Sequence, residues 1–425
     1  GEHPRRDPLP ADARRVGCRS RRRMRRHAIV IGAGLAGSSA AERLAARGWA
    51  IALIERAQAP GEGASGNLAG VLRPLPSLDD NRLARLTRAS FQYTSAHLAT
   101  LTAAGLPLRW GRTGVLHLAR DERHASTQQR VVEAQQPAAD YLRFVDREQA
   151  SALADWPVAG GGWWFPGGGW VDPASLCRAN LERHAALITA HYGCRVARIE
   201  RHADRWCAYD AAGDRIAEAP VLILANGSAT RDFPAAAHLP LRASRGQVSH
   251  LPAEAASAPA IVVCRLGYVT PAIDGLRCAG ATFAVDDDEA ALRVADHAEN
   301  LAKLDFILPG YSRGLRPEAL AGRVGFRPLS PDRLPMIGAV ADAGAVDPGR
   351  PSPPLDQLPR LPGLYLINGF GARGIVWSAL AGELLACLIT GEAPPLAGEL
   401  VDAVDPGRFL LRGRRRSGLR LPDER

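Results

Sequence analysis

The sequence contains a single lysine, Lys303, against 52 arginines. Its seven cysteines form no Cys-x-x-Cys pair, and its eleven histidines form no His-x-His or His-Glu-x-x-His motif. Neither a disulfide framework nor a metal site is therefore expected. No run of about 18 apolar residues occurs, so no membrane span is expected. The arginine-rich start has no apolar core with a cleavage site, so a cytoplasmic location is expected instead of secretion.

Positive charge is concentrated at the two ends of the chain. Residues 1–26 carry a net charge of +7 and residues 408–425 carry +5, whereas the whole chain carries +9, which leaves −3 on the body. Basic arms of this kind suit a polyanion such as nucleic acid, and solvated tails of a GC-rich coding sequence explain them equally well. The chain is 46% hydrophobic and 23% charged, which is typical of a globular protein of two or three domains.

A glycine-rich motif near the N-terminus predicts a dinucleotide-binding site. A short apolar strand leads into Gly32, Gly34 and Gly37, which open a helix. In such a motif the first glycine permits a tight turn, the second lets the backbone approach a pyrophosphate, and the third lets the helix pack on the strand. Glu55, followed by Arg56, ends the next apolar strand, where an acidic side chain can bind both hydroxyls of an adenosine ribose. The motif by itself is compatible with FAD and with NAD.

Segments far along the chain distinguish the two cofactors. The segments at 322–338 and 363–374 resemble the paired flavin-side motifs of the D-amino-acid oxidase/glycine oxidase superfamily, and those at 64–67 and 244–247 match further segments of it. The resemblance covers about residues 27–405. It implies an extended FAD whose adenosine lies on the N-terminal glycine motif and whose flavin lies near the C-terminal segments.

A narrower resemblance concerns the substrate. The segments at 63–74, 79–82 and 370–378 are similar to the FAD-dependent oxidoreductase part of the MnmC family of tRNA-modifying enzymes. That family oxidises 5-carboxymethylaminomethyl-(2-thio)uridine at the tRNA wobble position and leaves 5-aminomethyl-(2-thio)uridine. The resemblance implies the tRNA anticodon region as the substrate and glyoxylate as the second product. The family's methyltransferase part has no counterpart in these 425 residues, so two alternatives stay open for the next step: it happens on this protein, or a separate methyltransferase carries it out.

The superfamily resemblance also implies roles for individual residues. Arg327 would bind the substrate carboxylate through two parallel hydrogen bonds, as the matching arginine of the superfamily does. Tyr268 would line the substrate pocket, although a core tyrosine explains it equally well, and Arg373 would lie near the flavin. Some members attach the flavin through a cysteine near the position of 324–326, and no cysteine occurs there, so non-covalent FAD is expected. The residues expected to bind FAD are Gly32, Gly34, Gly37, Glu55, Arg56, Ser65, Asn67, Gly227, Gly371, Arg373 and Gly374.

The expected fold is α/β, with two domains that are each assembled from separate chain segments. A Rossmann-like domain binds FAD, and a substrate domain with a mixed or antiparallel sheet completes the pocket. Residues 60–80 are predicted as a long loop, and one helix is predicted from Asp172 to about His191. The predicted order is a basic disordered arm (1–26), FAD-binding segments (27–111, 160–243 and 323–405), substrate-domain segments (112–159 and 244–322) and a basic tail (406–425).

Three alternatives remain open on the sequence. An oxidase of free glycine, sarcosine or D-amino acids would share the fold, the flavin and Arg327. An RNA-binding protein with a structural flavin is the second, although no RRM, KH or zinc-knuckle signature supports it. An NAD-linked dehydrogenase, the third, would use the first motif alone. Four tryptophans between residues 156 and 170 are interpreted as packing residues, with base stacking as the alternative.

Overall fold

The structure is a computed structural model that describes residues 26–254, 257–346 and 353–417. The predicted arm at 1–26, apart from its last residue, and the end of the predicted tail lie outside the described residues. The α-helices of the described part are α1 (Leu35–Ala45), α2 (Arg82–Ala103), α3 (Glu122–Gln135), α4 (Arg147–Ala154), α5 (Pro173–Glu182), α6 (Val294–Ile307), α7 (Gly374–Thr390), α8 (Gly398–Val404) and α9 (Arg408–Ser417). Its strands are β1 (His27–Ile31), β2 (Ala50–Ile54), β3 (Gly70–Leu72), β4 (Trp110–Gly111), β5 (Val115–Leu118), β6 (Arg143–Val145), β7 (Gly162–Phe165), β8 (Gly169–Val171), β9 (Ile188–His191), β10 (Arg198–His202), β11 (Arg205–Tyr209), β12 (Arg215–Ala219), β13 (Val221–Leu224), β14 (Arg242–Pro252), β15 (Val262–Cys264), β16 (Tyr268–Val269), β17 (Leu276–Gly280), β18 (Ala284–Val285), β19 (Ala321–Leu329), β20 (Met336–Ala341) and β21 (Arg360–Asn368).

Six strands around the glycine motif form one sheet, in the order β20-β21-β13-β1-β2-β9. The strands from β21 to β9 run parallel, and β20 pairs antiparallel with β21 at one edge. Side chains alternate along β1, so that Val30 packs with residues of α1 and α7 while Ile29 packs with the small sheet β10-β11-β12. Both faces are covered, which explains why these strands are continuously apolar. The predicted α/β fold class is confirmed.

One prediction about this sheet was wrong. The helix expected from Asp172 to about His191 ends at Glu182, and β9 (Ile188–His191) follows as the edge strand beside β2. The parallel hydrogen-bonded pairing with β2 outweighs the helical preference of the alanines before β9, because tertiary contacts override local propensity.

The second large sheet has nine strands, in the order β18-β14-β17-β16-β15-β5-β7-β6, with β19 paired to β14. Its pairings are antiparallel except between β15 and β5, so the expected mixed or antiparallel sheet is present. The predicted boundaries need correction, because β7 and β19 belong to this sheet and not to the FAD-binding segments 160–243 and 323–405. The ladder between β14 and β19 continues from Ala321 to Leu329 without a break, so no boundary falls at 322.

The predicted loop at 60–80 contains the short strand β3. This strand pairs with β8, and β4 pairs with β8 on its other side, so that three short strands form a separate small sheet. A three-residue strand has too few residues for its alternation to stand out in a segment rich in glycine and proline. The other residues of 60–80 are outside helices and strands, as predicted.

The start of the predicted basic tail is attached to the body of the protein. Arg408, the first residue of α9, is 5% exposed and donates to both carboxylate oxygens of Asp332 at 3.0 Å. Arg412 pairs with the same carboxylate at 2.6 Å. Arg408 is therefore part of the folded body and does not fit a solvated tail, which was one of the two explanations left open. Asp332 offsets part of the charge that was assigned to the tail.

Two apolar features of the sequence are buried inside the protein. The 20-residue segment from Gly371 to Thr390 contains an 18-residue window with a mean hydropathy of 1.5, so it is long and apolar enough to cross a membrane. However, 67% of that apolar window is buried, because α7 packs against α1 and α2, so it is explained as a core helix. Trp163 and Trp164 are also buried, which agrees with their interpretation as packing residues.

Candidate functional site

A cavity of about 1010 Å³ is lined by residues of both large sheets. Part of its lining comes from the glycine turn after β1 and from the end of β2, and another part comes from β16, β17 and β19. Of the residues predicted to bind FAD or substrate, all except Gly37 line it. The volume is at the upper end of the range for cofactor pockets, which suits an extended dinucleotide together with a substrate group.

The glycine turn between β1 and α1 leaves no room for side chains. Gly32 has a φ of +103°, and a Cβ atom there would lie 2.6 Å from the carbonyl oxygen of Ala225. A Cβ atom on Gly37 would overlap the carbonyl oxygen of Gly32, so α1 could not keep its distance from β1. Gly34 is the N-cap residue and has no side chain to cap the helix. Amides of the first helical turn, which have no backbone partner in the helix, therefore adjoin the cavity together with the positive end of the helix dipole.

Backbone amides hold Glu55 and Ser65 beside this turn. The carboxylate of Glu55 accepts hydrogen bonds from the amides of Ala33 at 2.7 Å and Ala57 at 2.9 Å. The hydroxyl of Ser65 accepts one from the amide of Leu35 at 3.0 Å. A carboxylate offers about four acceptor positions, so Glu55 keeps capacity for the hydroxyls of a ribose. The turn without side chains, the amides of α1 and this carboxylate together fit the adenosine and pyrophosphate of a dinucleotide.

The other predicted cofactor residues lie on loops around the same cavity. Gly227 has a φ of +63°, and its carbonyl oxygen accepts a hydrogen bond from the side chain of Asn368 at 2.9 Å. This bond joins the segment after β13 to the end of β21, so that the two loops face the cavity together. The remaining members of this group are Arg56, Asn67, Gly371 and Gly374.

Arg327 presents its guanidinium group to the cavity from β19. The guanidinium occupies the space that a side chain at Gly246, on the paired strand β14, would fill. Its Nη1 donates to the carbonyl oxygen of Thr282 at 3.3 Å, and no carboxylate within the described residues forms an ion pair with it. Burial lowers the pKa of Arg327, but an arginine stays charged at neutral pH. A carboxylate that enters the cavity therefore meets a charged, uncompensated partner.

Tyr268 is close to Arg327 at this part of the cavity. Its hydroxyl donates to the carbonyl oxygen of Ala69 at 3.3 Å and lies 3.3 Å from the sulfur of Cys278. Burial raises the pKa of Tyr268 well above its ordinary value, and the neighbouring Cys278 acts in the same direction. The phenol is therefore neutral near pH 7. The ring of Tyr268 is half-buried and lines the cavity, so it packs against its neighbours and can also contact a ligand.

Sequence analysis missed Arg323, which lies four residues before Arg327 on β19. Its Nη2 donates to the carbonyl oxygens of Glu62 and Gly63, both at 2.5 Å, so it holds the loop that carries Ser65. Its Nη1 is buried and has no partner within the described part of the chain. Side chains of a strand alternate between its faces, so two residues four apart on a strand lie on the same face. The spacing of Arg323 and Arg327 was therefore the available signal, but it required knowing that this segment is a strand.

Positive charge accumulates around Arg373. Burial and the neighbouring charges of Arg73 and Arg333 lower the pKa of Arg373 to about 10. Arg73 and Arg373 both line the cavity, and sequence analysis assigned no role to Arg73. Within the described ranges none of the three forms an ion pair with a carboxylate. A cavity wall of this kind favours an anionic ligand, or a ligand that becomes anionic during the reaction.

Metal chemistry finds no support among the residues that the structure describes. No group of three or more histidine, cysteine, aspartate or glutamate side chains in that part of the chain could hold a metal ion. The cavity is defined instead by the glycine turn, backbone amides and arginines, which is the combination that a dinucleotide cofactor and an anionic substrate require.

The fold and the cavity define an oxidoreductase of the flavin-dependent class, and the comparison with known families agrees. Residues 27–388 match the family DAO, the FAD dependent oxidoreductases, so the chain belongs to that family and its cofactor is FAD. The alternative of an NAD-linked dehydrogenase was therefore wrong. The fold is also that of glycine oxidase from Bacillus cereus ATCC 14579, with a TM-score of 0.71 and 21% identity over 87% of this chain and 98% of that one.

Curated relatives are similar over nearly the whole chain. The chain is 61% identical over 412 residues to the tRNA 5-methylaminomethyl-2-thiouridine biosynthesis bifunctional protein MnmC of Aromatoleum aromaticum, which covers 94% of this chain and 64% of that protein. It is 56% identical over 387 residues to the protein of the same name from Azoarcus sp. strain BH72, which covers 91% of this chain and 60% of that protein. The resemblance to the MnmC family is confirmed. The chain spans less than two thirds of the length of these relatives.

Proposed function

We propose that the protein oxidises 5-carboxymethylaminomethyl-(2-thio)uridine at the wobble position of tRNA. The products are 5-aminomethyl-(2-thio)uridine and glyoxylate. The similarity of almost the whole chain to the oxidoreductase-containing MnmC relatives, whose name specifies tRNA 2-thiouridine biosynthesis, supports the substrate. The single observation that carries the chemistry is the uncompensated guanidinium of Arg327 in the cavity, because the carboxymethylamino group is an N-substituted glycine with a free carboxylate.

The reaction needs the glycine carbon to be held still against the cofactor. A bound FAD would supply the two-electron oxidation of that carbon, and water would then hydrolyse the substrate imine to the primary amine and glyoxylate. Arg327 supplies a planar pair of donors that can grip the carboxylate in one orientation. Tyr268, neutral and half-buried, closes the same part of the cavity and restricts where the amine can lie. We assign no nucleophile to the protein, since the cofactor takes the electrons.

We assign the nucleotide part of FAD to the opposite part of the lining. In this proposal the amides beside Gly34 bind the pyrophosphate, Glu55 binds the ribose, and Arg373 lies near the flavin, where its charge favours the reduced ring. The FAD is held non-covalently. The reaction takes place in the cytoplasm, and a methyltransferase on the same or another polypeptide acts on the primary amine, which gives the 5-methylaminomethyl group in the relatives' name.

The deciding experiment offers two substrates to the purified, FAD-loaded protein. One is tRNA that carries 5-carboxymethylaminomethyl-2-thiouridine, and the other is free glycine or sarcosine. We expect glyoxylate to appear with the tRNA in proportion to the 5-aminomethyl nucleoside, which mass spectrometry of the digested tRNA measures. A higher kcat/KM with glycine or sarcosine than with the tRNA would assign the protein to the free-amino-acid oxidases instead.

The role of Arg327 is tested by Arg327→Lys. A lysine keeps the charge but cannot form the two-pronged contact, so the glycine carbon shifts, and a shift of about 1 Å can cost on the order of 100-fold in rate. FAD content, measured from visible absorbance, should stay normal. Arg313→Lys is the matched control, because Arg313 is exposed and lies outside the cavity. Turnover of Arg327→Lys within twofold of wild type would show that Arg327 does not hold the carboxylate.

A further inference from the structure

Two exposed apolar side chains and one partly buried lysine are neighbours at the cavity. Leu266 is 60% exposed and Phe283 is 56% exposed, yet both line the cavity, and so does Lys303. Large apolar side chains that are exposed this far beside a ligand pocket are candidates for contact with a ligand. We call these three residues the rim (Leu266, Phe283 and Lys303).

The strand pairing of the substrate domain brings the rim together. β16 and β17 are antiparallel partners, with Tyr268 opposite Gly280, so the turn before β16 and the turn after β17 are neighbours. A Cβ atom on Gly267 would lie 2.8 Å from the carbonyl oxygen of Gly280 and 3.5 Å from the Cβ atom of Lys303. Leu266 and Phe283 are therefore carried by adjoining turns, and the lysine stem lies beside both.

The turn that carries Phe283 is fixed on three sides. Lys303 donates to the carbonyl oxygen of Ala281 at 2.8 Å. Thr282 is buried, and its hydroxyl accepts from the amide of Gln247 at 2.9 Å. The carbonyl oxygen of the same Thr282 accepts from Arg327 at 3.3 Å. An exposed aromatic ring on a backbone that is already ordered loses little entropy when it binds a partner.

The turn that carries Leu266 is also held in place. The side chain of Arg265 is buried and donates to the carbonyl oxygens of Phe306 at 2.7 Å and Arg120 at 2.9 Å. The amide of Arg265 donates to the carbonyl oxygen of Gly267 at 3.0 Å, so that Leu266 lies at the tip of the turn with a φ of +55°. A leucine rarely adopts this conformation, and such strained positions are found preferentially at functional sites.

Each rim turn is connected to one of the residues assigned to substrate binding. Leu266 precedes Tyr268 by two residues, and Phe283 directly follows Thr282, the hydrogen-bond partner of Arg327. A carboxylate held by Arg327 therefore lies close to Phe283. In the proposed substrate a short arm joins this carboxylate to a uracil ring, so the ring must lie within reach of the rim.

We propose that the rim holds the uracil ring of the substrate nucleotide, with Phe283 stacked on the ring, Leu266 packed beside it and Lys303 positioning the Phe283 turn. This inference rests on the proposed function and adds a specificity element to it. Free glycine has no ring for the rim to contact. The rim therefore favours a glycine unit that is carried on a planar base, while Arg327 recognises the glycine unit itself.

The test compares steady-state kinetics of rim variants on tRNA that carries 5-carboxymethylaminomethyl-2-thiouridine. Stacking of an aromatic side chain on a base contributes enough binding that Phe283→Ala should raise KM by roughly 5- to 150-fold. The kcat should change much less, because the lost contact is made equally in the ground and transition states. Phe283→Tyr keeps the ring and should restore KM to within about threefold of wild type. FAD absorbance shows that each variant is folded and loaded.

Leu292→Ala is the matched control, because Leu292 is 47% exposed in the same domain and lies outside the cavity. Its KM should equal that of wild type, whereas Leu266→Ala should raise KM in the same direction as Phe283→Ala. A KM for Phe283→Ala within twofold of wild type, or a Phe283→Tyr variant as impaired as Phe283→Ala, would overturn the rim assignment. Failure of the proposed function is distinguishable, since wild type itself would then not oxidise the tRNA.

Discussion

Gly246 offers a direct way to move Arg327 without changing it. A Cβ atom added at Gly246 would come closer than 3.0 Å to three atoms of the Arg327 guanidinium, and ordinary contacts of this kind lie at 3.4–4 Å. The guanidinium must therefore retreat by roughly 1 Å, and its 3.3 Å hydrogen bond to the carbonyl oxygen of Thr282 would be lost. The backbone of Gly246 is not at a positive φ, so alanine is compatible with the strand itself.

The expected effect of Gly246→Ala follows from this displacement. A misplacement of about 1 Å can cost on the order of 100-fold in rate, which corresponds to about 2.7 kcal/mol of transition-state stabilisation. We expect kcat/KM for the modified tRNA, measured as glyoxylate release, to fall by about that factor. FAD content should remain normal, because the substitution lies on β14 and outside the glycine turn that faces the pyrophosphate. Gly160→Ala is the control, since a Cβ atom there meets nothing within 4 Å.

A double mutant separates the mechanism from a general disturbance. If Gly246→Ala acts by displacing Arg327, then adding it to Arg327→Lys should cost much less than it costs alone, because the grip is already lost. Rate losses that multiply in the double mutant would show that Gly246 acts independently of Arg327. A kcat/KM for Gly246→Ala within threefold of wild type would refute the geometric argument itself.

Two further predictions concern the cofactor and the stability of the fold. Gly34→Val should purify with little FAD, because a branched side chain at the helix N-cap blocks the approach of a pyrophosphate. Acid precipitation of the yellow wild-type protein should release its FAD into the supernatant. Colour that stays with the pellet would contradict non-covalent binding. Burial and the charge of Arg43 lower the pKa of His97 to about 4 from 6.5, so the folded state favours the neutral ring. This preference adds about 3 kcal/mol to the free energy of unfolding, which is fully present above pH 6.5 and is lost as the pH falls towards 4. His97→Gln should therefore lose less free energy of unfolding than wild type between pH 7 and 4 in urea titrations, and equal losses would assign no role to His97.

The nucleotide part of the site could be predicted from the sequence because its requirements are local. The tight turn at Gly32, the close packing at Gly37 and the carboxylate at the end of β2 all follow from a strand, a turn and a helix that are consecutive in the chain. Gly32 has a φ of +103°, and a Cβ atom there would lie 2.6 Å from the carbonyl oxygen of Ala225. Such a position accepts glycine alone, so the glycines form a recognisable sequence pattern. The edge strand β9 could not be predicted in the same way, because β2, its pairing partner, lies more than a hundred residues earlier.

The substrate part of the site depends on strand register, which local sequence does not specify. Arg327 was found through a resemblance, but its contact with Thr282 and its position over Gly246 follow from the pairing of β14 with β19. A slip of one residue in that pairing would turn Arg327 to the other face of the sheet and remove the carboxylate site altogether.

Strand register also explains why the rim was not anticipated. Leu266, Phe283 and Lys303 belong to a turn, a second turn and a helix, and become neighbours through the pairing of β16 with β17 and the packing of α6 beside them. In the sequence Leu266 and Phe283 are ordinary apolar residues, and Lys303 is notable merely as the single lysine. The exposure of Leu266 and Phe283 beside a cavity gives them a candidate role, because exposed apolar side chains on a fixed backbone can bind a planar partner favourably. In this arrangement one sheet carries Arg327 and the two turns that hold Leu266 and Phe283, so a change of register there should alter substrate choice before it alters FAD binding.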